Sequence, residues 1–392
     1  MSLDQLLNPQ SSSNEKLSND EIELYDRQIR LWGMEAQQRI RCTKILLINL
    51  SGIGTEIVKN LVLSGINELY LLDNNDVKEE DLATQFFLTE GEDDLFRLDI
   101  IGRKKLDVAL PQIQELNPRV KIKINTRKSI YDFLDDGVRN LDNKDFFRQF
   151  NLVISTQLDS ISNLKLNKIT RSLNLPFYAT SCHGLFGYFF SDLIMYDDLS
   201  NADNSHNNHK SNKSNKSNKS NKSNKSDNTH NSNNSNKLIY YPFHSLLSMN
   251  CNNSPFKNLR KRQLITKKKR ILISVFILTL INYDFKYPSI NKNEIKINEE
   301  LFDEELGKMF GKLELFFEDE NPGQIQEETR ELLKVFLNNI NCEFSPICAI
   351  LGGSLAQDII NMLSFKNSPV NNFLVLDGLS SEMPIYQIIK KK

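Results

Sequence analysis

The chain of 392 residues is long enough for one large domain or two ordinary ones, and its 39% hydrophobic and 25% charged residues are typical of a globular protein. Its 49 Lys and Arg nearly cancel its 50 Asp and Glu, so net charge gives no reason to expect nucleic acid or an anionic membrane as the main partner. Five cysteines without a C-x-x-C pair argue against a zinc ribbon or a secreted disulfide framework and favour a reducing compartment.

Neither a secretory signal nor a membrane span is expected. The first 15 residues are polar, and the most apolar stretch, residues 271–281, is shorter than the about 20 residues that a spanning helix needs. We therefore expect a soluble intracellular protein in which this stretch forms a buried helix or strand.

The first predicted element is an amphipathic helix. Apolar residues recur at three- and four-residue steps from Ile22 to Ile40, which is the spacing of one helical face. Ser18 followed by Glu21 is a capping-box pattern that places the start of the helix. The spacing predicts one helix with a single apolar stripe.

Alternating strands and helices follow. In the first half they are a strand at 44–50, a turn with Gly52 and Gly54, a helix at 55–64, a strand at 68–72, a helix at 105–116, and strands at 120–125, 151–156 and 177–180 with a helix between the last two. Near the C-terminus a helix at 345–364, interrupted at Gly352 and Gly353, precedes a strand at 372–376. This order predicts an α/β fold with a doubly wound, mainly parallel sheet of the Rossmann type.

The composition changes sharply near residue 201. Residues 211–226 are a pure Ser-Asn-Lys triplet repeat with nothing apolar to bury, so we expect disorder. The histidines beside it, His206, His209 and His230, are interpreted as incidental. The predicted organisation is a flexible tail at 1–17, a first part of the α/β domain at 18–196, a disordered insertion at 197–237 and the remainder of the domain at 238–392.

A basic cluster lies between residues 257 and 270, and acidic residues follow between 299 and 320. The basic cluster is typical either of a nuclear import signal or nucleic-acid patch, or of a solvated loop face. Both interpretations stay open.

Several motifs, in their order along the chain, resemble those of the ubiquitin-like modifier activating enzymes. They lie at 25–33 (YDRQIRLWG), 54–63, 85–88 (QFFL), 345–357 and 371–378. The resemblance covers about 20–195 and 341–378, and 239–285 more loosely. It implies the ThiF-like adenylating fold and, within the family, the smaller subunit of the heterodimeric SUMO-activating type.

The glycine turn departs from the pattern of active family members. Their G-x-G-x-x-G positions correspond here to Asn49, Ser51 and Gly54, of which only the third is retained, for helix–strand packing. A Cβ at Ser51 projects where phosphate needs bare backbone, and Asn49 is expected to crowd the turn. The pattern predicts a preserved fold with a degraded nucleotide site.

Other nucleotide-binding positions are partly lost. Residues 81–86 (DLATQF) resemble the N-x-N-R-Q-F motif of active members. Ala83 and Thr84 stand in place of the Asn and Arg that contact phosphate in that motif. The resemblance leaves four matching positions, which we interpret as vestigial: Asp73 (ribose), Gln85, Lys105 (phosphate) and Asp159 (metal-associated). We expect no cofactor or metal in this chain, with ATP and Mg²⁺ bound mainly by a partner subunit.

Arg27 is the predicted functional residue. The resemblance implies that the N-terminal helix covers the ATP of the partner and that Arg27 reaches its phosphates in trans. A positioned guanidinium stabilises the charge that grows during adenylation of a modifier's C-terminal carboxylate. The alternative is a surface arginine paired with Asp26 or another nearby acid.

No cysteine is predicted to be catalytic. Cys182 adjoins His183, but neighbours on a strand point to opposite faces. Cys348 is expected in the core, and Cys42 and Cys251 have no supporting motif. The resemblance implies that the thioester-forming cysteine belongs to the larger subunit.

The predicted partners are a larger catalytic subunit and, through the complex, a SUMO-type modifier, with no nucleic acid and no membrane. The expected location is nucleus and cytoplasm. Two other functions stay open: the regulatory subunit of the NEDD-type activating enzyme, and a free-standing nucleotide enzyme such as a dehydrogenase or a homodimeric adenylase.

Overall fold

A computed structural model describes residues 17–88, 99–134, 141–198, 236–257, 259–288, 297–315 and 327–388. The strands are β1 (Lys44–Ile48), β2 (Glu68–Leu72), β3 (Lys121–Asn125), β4 (Leu152–Thr156), β5 (Phe177–His183), β6 (Phe186–Asp192), β7 (Met195–Asp198), β8 (Asn236–Ile239), β9 (Phe373–Asp377) and β10 (Ile385–Tyr386).

The helices are α1 (Asn19–Leu24), α2 (Asp26–Trp32), α3 (Met34–Arg41), α4 (Gly52–Leu63), α5 (Lys105–Leu116), α6 (Tyr131–Leu134), α7 (Leu141–Arg148), α8 (Ser160–Ser172), α9 (His244–Leu247), α10 (Lys261–Thr266), α11 (Lys268–Lys286), α12 (Glu299–Leu313), α13 (Glu327–Asn338) and α14 (Ser345–Ser364). A 3-10 helix spans Glu79–Ala83.

Eight strands form one sheet in the order β10-β9-β6-β5-β4-β1-β2-β3. The pairs from β3 through β5 are parallel, whereas β6, β9 and β10 add an antiparallel edge. The predicted doubly wound, mainly parallel α/β fold is confirmed, and the predicted strands and helices of the first half lie within a few residues of their expected bounds.

The sheet separates two hydrophobic cores. Ile45 and Leu47 of β1 face the core that contains α4 and α14, and Leu46 and Ile48 face the core that contains α8, α11 and α12. Because helices cover both faces, β1 is apolar at every position after Lys44. Residues 271–281, the apolar stretch considered above, are buried in α11.

The prediction of a single N-terminal helix is wrong. Its capping box at Ser18 and Glu21 is confirmed, but the segment is divided into α1, α2 and α3 at Tyr25 and Gly33. Gly33 has φ of +95°, a conformation that favours glycine, so the chain turns there. Tyr25 is buried against Gly65, where a Cβ would lie 2.5 Å from the Tyr25 ring.

The predicted interruption of the C-terminal helix is also wrong. Helix α14 continues through Gly352 and Gly353. A Cβ at Gly352 would lie 2.7 Å from Glu56 Cβ and 2.9 Å from the Ile53 carbonyl oxygen, so this glycine allows α4 to pack closely. By length and composition α14 could cross a membrane, yet 67% of its apolar window is buried against the rest of the chain.

An antiparallel ribbon of β7 and β8 flanks the predicted insertion. Asp198 lies opposite Asn236, and residues 197, 198, 236 and 237, which were expected within the insertion, belong to these strands. Residues 199–235, with the triplet repeat and its three histidines, lie outside the described residues, so their disorder stays a prediction.

Candidate functional site

A cavity of about 920 Å³ opens at the carboxyl ends of the parallel strands. Asn49 follows β1, Asn75 follows β2, Asp159 follows β4, and Ser181 lies at the end of β5. In open α/β sheets this edge is where ligands bind. The position corresponds to the degraded nucleotide site that the sequence predicts.

The turn after β1 accommodates Asn49, so the expected crowding is wrong. Asn49 has φ of +67°, which asparagine tolerates better than most residues, and its side chain donates to the Thr156 carbonyl over 2.9 Å. A Cβ at Gly54 would lie 3.3 Å from both the Asn49 carbonyl oxygen and Thr156 Oγ1. The predicted packing role of Gly54 is therefore confirmed.

The first four backbone N–H groups of α4 all have partners within the chain. Gly52 N–H donates to Glu343 Oε2 over 2.6 Å, and Ile53 N–H donates to Glu343 Oε1 over 3.3 Å. Gly54 N–H donates to Ser51 Oγ over 3.1 Å, and Thr55 N–H donates to the Ser51 carbonyl over 2.8 Å. These are the groups that usually bind phosphate at a helix N-terminus.

Thr84 lies against the same end of α4. A Cβ at Gly52 would lie 2.8 Å from Thr84 Cβ and 3.0 Å from Glu343 Oε2, so only glycine fits between them. The Thr84 hydroxyl is buried and has no hydrogen-bond partner among the described residues. Position 84 therefore carries an uncharged side chain, whereas the motif of active family members has an arginine there.

The side chains at three of the remaining matching positions are held by other groups of this chain. Lys105 Nζ is 3.0 Å from Asp81 Oδ1, and Gln85 donates to that same oxygen over 2.7 Å. Asp73 is 4% exposed and accepts from Leu50 N–H and Asn75 N–H, each over 2.9 Å. Burial raises the pKa of Asp73, although the charge of Lys105 acts in the opposite direction.

Asp159 caps a helix and faces a second acid. Its carboxylate accepts from Ser162 N–H over 2.8 Å and from the Tyr131 hydroxyl over 3.1 Å. Burial raises the pKa of the neighbouring Asp284, and the charge of Asp159 raises it further. Among the described residues no group of three or more His, Cys, Asp or Glu side chains could hold a metal ion.

The residues of this cavity do not fit a magnesium nucleotide. The N–H groups of α4 are already hydrogen-bonded, and the acids in the lining outnumber the lysines, which disfavours a triphosphate. The acids are Asp76, Glu80, Asp81, Asp159, Asp284 and Glu343, and the lysines are Lys78, Lys105 and Lys165.

Cys182 and His183 do not form a catalytic pair. This agrees with the prediction that neighbours on a strand point to opposite faces of the sheet. Cys182 belongs to the core with α4 and α14, whereas His183 stacks with Tyr188 on the other side of the sheet. Burial lowers the pKa of His183 to about 3, and its Nδ1 accepts from Asn341 N–H over 3.1 Å. Cys348 is buried in the core, as expected, and its pKa is raised by a contact with Cys182 and by burial.

Arg27 lies outside this cavity. It is exposed on α2 and makes no ion pair with any residue in the described part of the chain. The adjacent Asp26 pairs with Arg30 over 2.9 Å. The next residue, Gln28, donates to the Leu63 carbonyl at the end of α4 over 3.2 Å. The helix that carries Arg27 is thus fixed to the fold while the guanidinium faces outward.

The sequence pattern of the ThiF family matches residues 25–392. The chain belongs to the ThiF family. It is 34% identical to DNA damage tolerance protein RHC31 of Saccharomyces cerevisiae over 95% of this chain and 98% of that one. It is also 31% identical to DNA damage tolerance protein rad31 of Schizosaccharomyces pombe, over 96% and 99%.

The chain is 28% identical to human SUMO-activating enzyme subunit 1 over 93% of its length and 94% of that protein's. A crystal structure of PaaA shares the fold alone, with a TM-score of 0.51 and 13% identity over 97% of this chain and 87% of that one. The resemblance that the motifs indicate, and the ThiF-like fold, are therefore confirmed.

Sequence reasoning missed Glu343. This residue lies 291 positions from Gly52, and no local motif marks it as a ligand of the turn. The only signal is an acid just before the helix that begins at Ser345, which is common in proteins without any functional role.

Proposed function

We propose that this chain is the smaller, non-catalytic subunit of a heterodimeric SUMO-activating enzyme. The observation that carries the proposal is the N-terminus of α4, where Glu343 and Ser51 accept every N–H group that a phosphate would need. A ThiF-family chain that keeps the fold but cannot cradle a triphosphate needs a partner that can. Near full-length similarity to proteins named SUMO-activating enzyme subunit 1 supports the choice of modifier.

In this proposal the larger subunit binds ATP and Mg²⁺ and carries out the adenylation. Arg27 contributes to that site in trans. Its exposure, and the absence of an ion pair within the described part of the chain, leave its guanidinium able to meet phosphate oxygens of the partner. Negative charge grows on those oxygens in the transition state, so a positioned arginine lowers the barrier.

Reconstitution with the larger subunit tests the role of Arg27. Arg27→Ala is expected to slow modifier-dependent ATP–pyrophosphate exchange by about a hundredfold or more, in the range of other positioned transition-state donors. Arg30→Ala on the same helix is the matched control and is expected to change exchange by less than about twofold, because exposed ion pairs contribute little. Size-exclusion chromatography must show both variants in the heterodimer, and undiminished exchange by Arg27→Ala would remove the trans role.

Two other functions predict different results. A free-standing nucleotide enzyme would bind ATP or NAD as the isolated chain, whereas we expect calorimetry to detect neither. A NEDD-type subunit would co-purify with a different large subunit, and the named relatives do not favour it.

Localisation to nucleus and cytoplasm is part of the proposal, and alanines in the basic cluster at 257–270 test whether that segment directs import.

A further inference from the structure

The carboxylate of Glu343 occupies the place of an anion at the N-terminus of α4. Its two oxygens accept from consecutive backbone N–H groups, Gly52 over 2.6 Å and Ile53 over 3.3 Å. The helix has 12 residues, so its partial positive charge is well developed at this end. Two converging N–H donors at a helix start are the usual ligands of a phosphate or carboxylate.

The surroundings are shaped around this carboxylate. Glu343 as a whole is only partly buried, but its carboxyl end lies against the turn, where Gly52 has no room for a Cβ between Thr84 and Glu343 Oε2. Burial raises the pKa of Glu343, and the N–H groups of Gly52 and Ile53 and the charge of Lys105 act in the opposite direction. The glycine at position 52 therefore serves the contact with Glu343 and Thr84.

We propose that Glu343 is a built-in carboxylate ligand of the anion site at the start of α4, and that this side chain excludes phosphate from the cavity. Ala83 and Thr84 lack the contacts that a nucleotide would use, and Ser51 Oγ accepts from Gly54 N–H. Glu343 fills the remaining donor pair and adds a repelling charge. This inference concerns the cavity of this chain and holds whether or not Arg27 acts on a partner.

Removal of the carboxylate tests the proposal on the full chain. Glu343→Ala exposes the two N–H donors. Inorganic phosphate and formate are therefore each expected to raise the melting temperature of this variant. Each anion is expected to bind the variant about tenfold more tightly than the wild type, which is the scale of one charge-assisted hydrogen bond. Glu331→Ala, an exposed acid on α13, is the matched control and is expected to respond like the wild type. A folded Glu343→Ala protein that neither anion stabilises beyond this control would overturn the proposal.

A second measurement avoids dependence on the stability of the alanine variant. In glycine-labelled wild-type protein, the amide resonance of Gly52 is expected downfield and should move as the Glu343 carboxyl is protonated. Glu343→Gln, which keeps the side-chain volume, should shift that resonance at neutral pH and abolish its pH response. A Gly52 resonance that is insensitive both to acid and to this substitution would contradict the proposed contact.

Discussion

Buried ionisable residues in this protein have opposite effects on its pH stability. His183 has its pKa lowered to about 3 by burial, so its folded form resists protonation that the unfolded chain accepts. Asp358 has its pKa raised to about 6 by burial, so its folded form keeps a proton that the unfolded chain loses. His183 therefore lowers the free energy of unfolding as the pH falls below about 6.5, and Asp358 lowers it as the pH rises from about 4 to 6.

Asp358→Asn should expose the second effect. The Asp358 side chain accepts from the Tyr178 hydroxyl over 2.8 Å and from Val370 N–H over 2.7 Å, and an asparagine fills the same space without titrating. The free energy of unfolding of the wild type is expected to fall by about 2 kcal/mol relative to the variant between pH 4 and pH 7. Urea unfolding at several pH values measures this, with Asp107→Asn on the surface as control; parallel pH curves for wild type and Asp358→Asn would contradict it.

At this scale the motif positions could be predicted and Glu343 could not. Asn49, Ser51 and Gly54 stand at fixed spacings beside a strand and a helix, so their positions and the packing role of Gly54 follow from local geometry, whereas the left-handed backbone that accommodates Asn49 does not. Glu343 acts across 291 positions of sequence, and only the folded chain brings it to Gly52.

Helices α4 and α14 pack closely at Gly352, where there is no room for a Cβ. Gly352 stands where a Cβ would meet the Ile53 carbonyl oxygen and Glu56 Cβ, whereas a Cβ at Gly353 would meet nothing within 4 Å. Two adjacent glycines in one helix therefore have different reasons to be there. Sequence patterns cannot separate them, because both weaken a helix equally in isolation.

Alanine at these two positions should change stability in opposite directions. Gly352→Ala is expected to lower the free energy of unfolding by about 1 to 3 kcal/mol, because backbone of α4 must move. Gly353→Ala is expected to raise it by up to about 1 kcal/mol, because alanine favours the helix and meets no neighbour. Urea unfolding of both variants decides, and equal effects would contradict the packing described for Gly352.

The apolar strands β1, β2 and β4 could be predicted because a strand buried on both faces needs an unbroken apolar run. The division of the N-terminal segment could not, since α1, α2 and α3 keep nearly the periodicity of one helix while Gly33 turns the chain. Tertiary packing of Tyr25 against Gly65 decides that geometry, and periodicity carries no information about it.

At the scale of the whole molecule, the ribbon of β7 and β8 holds the two ends of the Ser-Asn-Lys segment side by side. Asp198 lies directly opposite Asn236, so the fold does not need residues 199–235 to bridge a distance. The change in composition locates this segment from the sequence, but the pairing that brackets it involves too few residues to be predicted.

Replacement of residues 199–235 by Asn-Gly should preserve the fold. Asn-Gly matches the tight turn that joins two antiparallel strands. Shortening the loop lowers the entropy lost on closing it, so the free energy of unfolding is expected to rise by about 1 to 3 kcal/mol. Thermal and urea unfolding measure this, and exchange activity in the reconstituted heterodimer should stay unchanged; a marked loss of stability would show that the segment contributes to the fold.

Helix α4 connects the cavity at its amino end with the N-terminal helices at its carboxyl end. Its amino end holds Glu343, and at its carboxyl end Gln28 donates to the Leu63 carbonyl while Gln37 donates to the Ser64 carbonyl over 2.9 Å. The rod between them is about 18 Å long. A substitution that tilts α4 at either end is therefore expected to shift α2 as well, and with it the exposed side chain of Arg27.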